Sequence, residues 1–175
     1  MKVLAFGASS SKTSINKSFA TYAANLIPNA EVEVLDLNDY ELPLFSTDKE
    51  AEIGQPELAQ QFFAKIGNAD AIVISFAEHN GSYTAAYKNL FDWTSRIDMK
   101  VFQNKPMLLL ATSPGPGGAS SVLAAAKGSA PFFAADVKGD FSLPSFYDNF
   151  DLEAHTLKSE ELTSNLLAEI SKLIA

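Results

Sequence analysis

The fold of this chain is decided by two adjoining stretches, DAIVISF (Asp70–Phe76) and AEHNGS (Ala77–Ser82). The first is apolar and rich in branched side chains, which is typical of a strand buried on both faces of a parallel sheet. From Tyr83 to Ile97 the apolar residues change to helical spacing. A strand, a polar turn and a helix place the turn at the carboxyl edge of a sheet, where open α/β sheets bind ligands. Asn-Gly also occurs in ordinary turns, so this stretch alone leaves both interpretations open.

Composition predicts one globular domain over residues 1–175. The chain is 47% hydrophobic and 19% charged, and its net charge of -8 argues against a nucleic-acid partner. Its apolar runs are shorter than the roughly 20 residues that cross a bilayer. Met1 leads directly into a strand with no signal peptide, so we expect a cytoplasmic protein without membrane contact. Cysteine is absent, which excludes disulfides and thiolate metal sites, and no metal site is predicted.

A hydroxyl-rich loop follows the first strand. Five of the six residues from Ser9 to Ser14 carry a hydroxyl, and a helical pattern begins directly afterwards. One hydroxyl suffices to cap a helix. The free amides and the dipole of a helix N-terminus favour an anion, so the excess of hydroxyls favours a phosphate monoester. Arg96 is the only arginine, so a phosphate here must rest on amides, hydroxyls and lysines.

Strand-like and helix-like stretches alternate five times along the chain. The predicted strands are Lys2–Phe6, Glu31–Asp36, Asp70–Phe76, Pro106–Thr112 and a fifth within Phe132–Phe146. The predicted helices follow the first loop as far as Pro28, run from Pro56 to Gly67, and then cover Tyr83–Ile97, Ala119–Lys127 and Leu157–Ile174. A long acidic connection, Leu37–Pro56, carries no predicted helix. The alternation predicts a flavodoxin-like α/β three-layer sandwich, with a five-stranded parallel sheet of order 2-1-3-4-5 and helices on both faces.

In that strand order, the turns after strands one, three and four meet at one edge. These turns are Ser9–Asn16, Ala77–Ser82 and Ser113–Gly118, and all three consist mainly of small and polar residues. This coincidence is the strongest indication of a ligand that comes from the residues alone.

Motifs over nearly the whole chain resemble those of the NADPH-dependent FMN reductase family. That family carries a Gly-Ser-x-Arg-x-x-Ser-x-Asn loop after its first strand. Ser9, Ser14 and Asn16 match it, while Ala8 replaces the glycine and Ser11 the arginine. The family's second signature is Pro-Glu-Tyr-Asn-Gly-Ser, followed by Lys-Asn and Asp-Trp. It is matched, with Ala77 and His79 as substitutions, by Glu78, Asn80, Gly81, Ser82, Lys88, Asn89, Asp92 and Trp93.

The resemblance implies a non-covalent FMN and an oxidoreductase that uses NAD(P)H as co-substrate. The electron acceptor would be a small molecule such as a flavin, a quinone, an azo compound or a metal oxyanion. No catalytic side chain is expected, because the flavin carries the chemistry. The cofactor-binding residues would be Ser9, Ser11, Lys12, Ser14, Ile15, Asn16, Glu78, His79, Asn80, Gly81, Ser113, Pro114, Gly115, Gly117 and Gly118.

A flavodoxin-type electron carrier is the main alternative. Such carriers usually hold the ring with aromatic loop residues, and Ser113–Gly118 contains none. A response-regulator receiver domain needs a phospho-acceptor aspartate after strand three, where Ser75 and Phe76 stand, and is rejected. For the remaining side chains, we expect Glu78 to be structural, His79 to be either a cofactor contact or a solvated loop residue, and His155 to lie on the surface.

The helix after strand three suggests an oligomer. Its apolar residues form two rows, one of Ala86, Leu90, Trp93 and Ile97 and another of Tyr87 and Phe91. Because one sheet face would not cover both rows, we expect a homodimer or homotetramer. Resemblance to the family points the same way.

Overall fold

The computed structural model describes residues 1–175. Five strands form one parallel sheet in the order β2-β1-β3-β4-β5, which confirms the predicted fold. They are β1 (Lys2–Ala8), β2 (Glu31–Leu35), β3 (Ala71–Phe76), β4 (Pro106–Thr112) and β5 (Asp136–Leu143). The helices are α1 (Ile15–Asn25), α2 (Thr47–Ile53), α3 (Glu57–Asn68), α4 (Ala85–Ser95), α5 (Ser120–Ser129), α6 (Phe146–Asn149) and α7 (Glu160–Leu173).

The core lies on both faces of the sheet. On one face, Phe62, Leu90 and Val122 bring α3, α4 and α5 against the strands. On the other face, α1 and α7 pack through residues such as Phe19 and Leu166. β3 is buried along its whole length, as expected of a strand covered on both sides.

Two regions differ from the expectation. The connection after β2 contains a 3-10 helix, Leu37–Tyr40, and α2, which buries no residue and therefore leaves no apolar periodicity to recognise. Near the C-terminus, β6 (Phe150–Asp151) and β7 (Thr156–Leu157) form a small antiparallel hairpin. Strands of two residues are too short to show alternation in a sequence.

Parts of both apolar rows of α4 pack within the chain, whereas Ala86, Phe91 and Ile97 stay half-buried, so the rows alone do not require an oligomer. The connection between β2 and α2 packs across the first row. There, the Trp93 indole donates to the Pro43 carbonyl at 2.7 Å, and Phe45 lies edge-on to the indole at 5.1 Å. In the second row, Tyr87 is 4% exposed, and Phe91 packs on other rings of the chain.

None of the helices has both the length and the apolar character that a membrane span requires.

Candidate cofactor site

The three polar turns meet at the carboxyl edge of the sheet and enclose a cleft of about 240 Å³. Its lining residues come from all three turns and from α6. They are Ser9, Ser11, Thr13, Ser14, Ile15, Asn16, Ala77, Glu78, His79, Thr112, Ser113, Pro114 and Tyr147.

The loop between β1 and α1 presents a row of unpartnered backbone amides. The Ser14 hydroxyl caps α1 by accepting from the Lys17 amide at 3.1 Å. The amides from Lys12 to Asn16 have no acceptor within the chain. Together with the positive end of the helix dipole, these amides form a strong anion-binding arrangement.

Asn16 fixes this helix end to the sheet. Its side chain donates to the Thr112 carbonyl at 3.1 Å and accepts from the Thr112 amide at 3.1 Å. The same oxygen accepts from the Ser75 hydroxyl at 2.7 Å. Since the side chain is 3% exposed and bonded in this way, its role is to hold β3, β4 and α1 in register. Only its backbone amide remains free for a ligand.

Gly7 lets α1 approach β1 closely. A Cβ at this position would lie 2.4 Å from the Lys17 backbone nitrogen and 2.8 Å from its Cα. Any larger residue would therefore push α1 and its free amides away from the sheet.

The turn after β3 is a tight hairpin-like loop. The His79 amide donates to the Ser82 carbonyl at 3.0 Å, and the Ser82 amide to the His79 carbonyl at 3.1 Å. Asn80 and Gly81 have φ angles of 53° and 77°, which suit Asn-Gly in a turn with two left-handed residues. They form the exposed tip, outside the cleft. His79 is exposed and lines the cleft.

Glu78 is a structural carboxylate, as expected, although it also lines the cleft. One of its oxygens accepts from the Val122 amide at 2.8 Å. Val122 lies in the first turn of α5, and the residue that caps this helix, Ala119, offers no side-chain acceptor. Glu78 therefore caps α5 from the neighbouring turn and joins the two turns.

The turn after β4 reaches the cleft through Ser113 and Pro114 only. The carbonyls of Ser113 and Gly115 accept from the amides of Phe146 and Ser145 at 3.0 and 2.9 Å. A Cβ on Gly118 would lie 2.4 Å from the Ser142 hydroxyl, so this glycine serves packing against β5. Gly117 is exposed and has no atom within 4 Å of its Cβ position.

Four residues that line the cleft were not predicted to bind the cofactor, Thr13, Ala77, Thr112 and Tyr147, and of these only Tyr147 lies outside the predicted turns and strands. It belongs to α6, is 55% exposed, and supplies an aromatic side chain to the cleft. The absence of aromatic residues from Ser113–Gly118 therefore does not leave the cleft without one. The only signal in the sequence is an aromatic residue shortly after the fifth strand, a position that shows its relation to the cleft only once the chain is folded.

The predicted site residues fall into two groups. Those that line the cleft are Ser9, Ser11, Ser14, Ile15, Asn16, Glu78, His79, Ser113 and Pro114. Those that lie outside it are Lys12, Asn80, Gly81, Gly115, Gly117 and Gly118. Lys12 belongs to the same loop but lines a neighbouring depression, together with Lys17 and His155.

The cations near the cleft are lysines. The Lys17 ammonium is paired with Asp36 at 2.6 Å, which leaves Lys12 as the free charge on the loop. Arg96 lies at the far end of α4, where its Nε contacts both oxygens of Glu50 at 3.0 Å. That carboxylate raises the pKa of Arg96. No guanidinium therefore reaches the cleft.

Comparison with known proteins adds a family to this geometry. The model of the family described as NADPH-dependent FMN reductase matches residues 1–148. This chain belongs to that family. The match includes all three turns and Tyr147, and it ends before β6.

Individual relatives agree with the family. An NADPH:quinone oxidoreductase of Arabidopsis thaliana is 34% identical over 125 residues, which are 69% of this chain and 62% of the relative. An NAD(P)H-dependent FMN reductase, PA1204, of Pseudomonas aeruginosa is 32% identical over 119 residues, 67% of this chain and 63% of the relative. The aligned region thus spans less than two thirds of the length of these relatives. The structure of FerB, a flavoenzyme NAD(P)H:(acceptor) oxidoreductase from Paracoccus denitrificans, aligns with a TM-score of 0.79 over 99% of this chain and 97% of FerB. At 22% identity, this likeness supports the fold alone.

Proposed function

We propose that residues 1–175 form a single FMN-binding domain that acts as an NAD(P)H-dependent oxidoreductase. It would pass hydride from reduced nicotinamide through bound FMN to a small acceptor, such as a flavin, a quinone, an azo compound or a metal oxyanion. The observation that carries this proposal is the row of unpartnered amides from Lys12 to Asn16, which lies beside a cleft built from three turns. Membership of the FMN reductase family supports the same assignment.

The first loop fits the phosphate of FMN. A phosphate monoester carries close to two negative charges and accepts hydrogen bonds on several oxygens. The loop offers amides at the positive end of α1, the hydroxyls of Ser11 and Thr13, and the nearby ammonium of Lys12. These donors replace the arginine found in the family motif.

The other two turns fit the ring of FMN. The amides of Ala77, Glu78 and Ser113 have no acceptor within the chain, so they are free for the carbonyl and nitrogen edge of a flavin. Pro114 and Tyr147 add apolar surface to the same cleft. We therefore assign the phosphate to Ser9–Asn16 and the ring to the turns after β3 and β4.

The chemistry would come from the cofactor, since bound FMN supplies hydride acceptance and donation. The residues of this chain would bind and orient the cofactor. Asn16 fixes the phosphate loop to β4, and Glu78 joins the turn after β3 to α5. The fold thus holds three turns in one geometry without an acid–base pair of its own.

A visible spectrum followed by anaerobic titration tests the proposal. The purified chain should bind FMN stoichiometrically, and adding NADH or NADPH without oxygen should bleach the flavin absorbance without any partner protein. A flavodoxin-type electron carrier is the alternative function, because such carriers hold the flavin ring with aromatic residues and Tyr147 lines the cleft. A bound flavin that dithionite reduces, while neither nucleotide does, would identify a carrier.

We propose little discrimination between NADH and NADPH. Selectivity for the 2′-phosphate usually comes from guanidinium groups, and Arg96 is held by Glu50 away from the cleft. The rates of flavin reduction with the two nucleotides, compared under identical conditions, test this expectation. A preference of a hundredfold or more would contradict it.

We further propose a homodimer or homotetramer that works in the cytoplasm. The rows of α4 alone do not require the oligomer, but Leu44 supports it. It is 81% exposed and borders a groove of about 410 Å³ that Ala85 and Ala86 also line. Such an apolar patch suits a second copy of the chain. Sedimentation that shows only an 18.8 kDa species at micromolar concentration would refute the oligomer.

A further inference from the structure

A second cavity, of about 330 Å³, lies between α4, α5 and the sheet. It shares no lining residue with the cofactor cleft. Its volume is at the lower end of the roughly 300–1,000 Å³ that small-molecule sites occupy. Six aromatic rings line it, those of Phe76, Tyr83, Tyr87, Phe91, Phe102 and Phe133.

The rings form walls that hold one another in place. Phe91 and Phe133 meet edge-to-face with their centroids 4.7 Å apart. Tyr87 meets Phe76 in the same way at 5.4 Å. Edge-to-face pairs of this kind are favourable beyond their buried area, so the cavity is formed without a ligand.

Tyr87 brings an unpartnered hydroxyl into this apolar space. Its side chain lines the cavity, is 4% exposed, and makes no hydrogen bond. The hydroxyl of Tyr83, by contrast, is paired with that of Ser129 at 3.2 Å. The Tyr87 oxygen is open to the cavity, since the one fully enclosed side-chain polar atom without a partner in the chain is Oε1 of Gln55, so the hydroxyl is available to an occupant. Burial also raises the pKa of Tyr87, so the hydroxyl keeps its proton at neutral pH and can donate to an acceptor.

The residues at the mouth indicate the charge of the occupant. Met99 is 60% exposed and lines the cavity at its opening. The two charged residues of the lining, Lys88 and Asp92, are paired with each other at 2.7 Å. Because their charges cancel, the opening favours a neutral molecule.

We propose that this cavity is a binding site for a neutral, planar aromatic molecule whose carbonyl oxygen accepts a hydrogen bond from Tyr87. The aromatic walls supply stacking and edge contacts, and the hydroxyl of Tyr87 supplies the single polar anchor. This site is separate from the cleft assigned to FMN, so it does not depend on the function proposed above.

A matched pair of probes tests the site. 2-Acetylnaphthalene carries the carbonyl, and 2-isopropenylnaphthalene has the same shape without it. Calorimetric titration of the full chain, carried out with and without added FMN, should show tighter binding of the ketone in both cases. Replacing Tyr87→Phe keeps the ring and removes no hydrogen bond within the chain, so the variant should fold. The substitution should lower the affinity for the ketone about fivefold to tenfold, which corresponds to one neutral hydrogen bond. The affinity for the hydrocarbon should not change.

Two further variants locate the probe. Ala126→Leu, which adds volume to the buried lining, should abolish binding of both probes. Tyr147→Phe changes a hydroxyl in the other cleft and should alter neither affinity. The proposal is overturned if neither probe binds up to its solubility limit, or if Tyr147→Phe rather than Tyr87→Phe weakens the ketone. Ketone binding that weakens as protein concentration rises would also overturn it, and would identify a second copy of the chain as the occupant.

Discussion

Ser9 and Ser14 give the most direct test of the phosphate loop. Ser9 accepts from the Ser11 amide at 3.1 Å, so it shapes the loop, and Ser14 caps α1. The double substitution Ser9→Ala with Ser14→Ala should weaken FMN binding by about 1–3 kcal/mol, through lost hydrogen bonds and a less ordered loop. Fluorescence titration of FMN measures the change.

A control separates binding from stability. Ser159 caps α7 with the same geometry, by accepting from the Leu162 amide, and lies outside the cleft. Ser159→Ala should cost a similar 0.5–2 kcal/mol of stability, roughly, without changing FMN affinity. The double substitution should weaken the binding of riboflavin, which lacks the phosphate, less than the binding of FMN. Equal affinity of the unmutated chain for riboflavin and FMN would contradict the phosphate assignment.

Asn16 should be among the most sensitive polar positions in the chain. Asn16→Ala removes three hydrogen bonds and leaves buried groups of Ser75 and Thr112 without their partner. We expect a loss of about 2–4 kcal/mol in the free energy of unfolding, measured in urea. Asn25→Ala, which removes an exposed amide from the same helix, should cost less than about 0.5 kcal/mol. Similar losses in the two variants would show that Asn16 does not hold the sheet edge together.

The role of Asn16 also shows what a sequence can reveal at this scale. Family resemblance assigns this asparagine to cofactor binding, which stays a prediction, and says nothing of its contacts. Its side-chain partner, Thr112, is 96 residues away, and no local pattern indicates such a contact. Tyr147 was missed for the same reason, since its place at the cleft depends on hydrogen bonds between α6 and the turn after β4.

At the scale of elements, the contact between β1 and α1 can be tested with two glycines. Gly7→Ala would place a Cβ 2.4 Å from the Lys17 backbone nitrogen, so either α1 moves or the strand distorts. We expect a loss of about 3 kcal/mol in stability and weaker FMN binding, because the free amides move with the helix. Gly117→Ala has open space around it and should change stability by less than about 0.5 kcal/mol. Thermal unfolding and FMN titration of both variants measure these effects. A Gly7→Ala variant with unchanged stability and FMN affinity would refute the close packing of α1 on β1.

The elements predicted correctly are those with strong periodicity. β3 and β4 were found because buried parallel strands are continuous apolar runs, and α4 because its spacing is helical. α2 could not be found, since it buries nothing. The segment around it still has a structural role. Asn89 donates to the carbonyls of Leu42 and Pro43 at 3.1 and 3.0 Å, so the connection forms part of the layer that covers α4.

At the scale of the whole molecule, the strand order was predictable because right-handed crossovers allow few topologies for alternating strands and helices. The convergence of the three turns followed from that order. Assembly with a second copy was predicted from α4 and from family resemblance, and the argument from α4 is weakened because a distant segment packs on part of the helix. Whether a distant segment packs on an apolar helix face depends on the complete fold and cannot be predicted from the periodicity of that helix.

Stability should depend on pH through Asp36. Lys17, together with the amide and side chain of Asn38, lowers the pKa of this carboxyl from 3.8 to about 2. A carboxyl with a lower pKa in the folded chain stabilises the fold above its unfolded pKa, and the contribution disappears as the pH falls through the folded pKa. The side chains of Lys17 and Asp36 are 34% and 28% exposed, so screening reduces the contribution to roughly 1 kcal/mol.

Urea unfolding of the wild type and of Asp36→Asn measures this contribution. At pH 6 the variant should be less stable by that amount. The difference should begin to shrink below about pH 4 and be lost near pH 2. A difference that stays constant over this range would mean that the ion pair does not contribute.

The bond between Asn16 and Thr112 has a consequence for the order in which the molecule is made. During synthesis the loop after β1 is made well before the strand that anchors it, which is complete only after residue 112 has been added. Closing so long a loop carries an entropic cost, and a ligand that binds only the closed form shifts the balance towards it. A nascent chain that ends before β4 therefore has no complete binding site. FMN would bind only chains whose central strands are assembled. It would therefore stabilise this protein only at a late stage of folding.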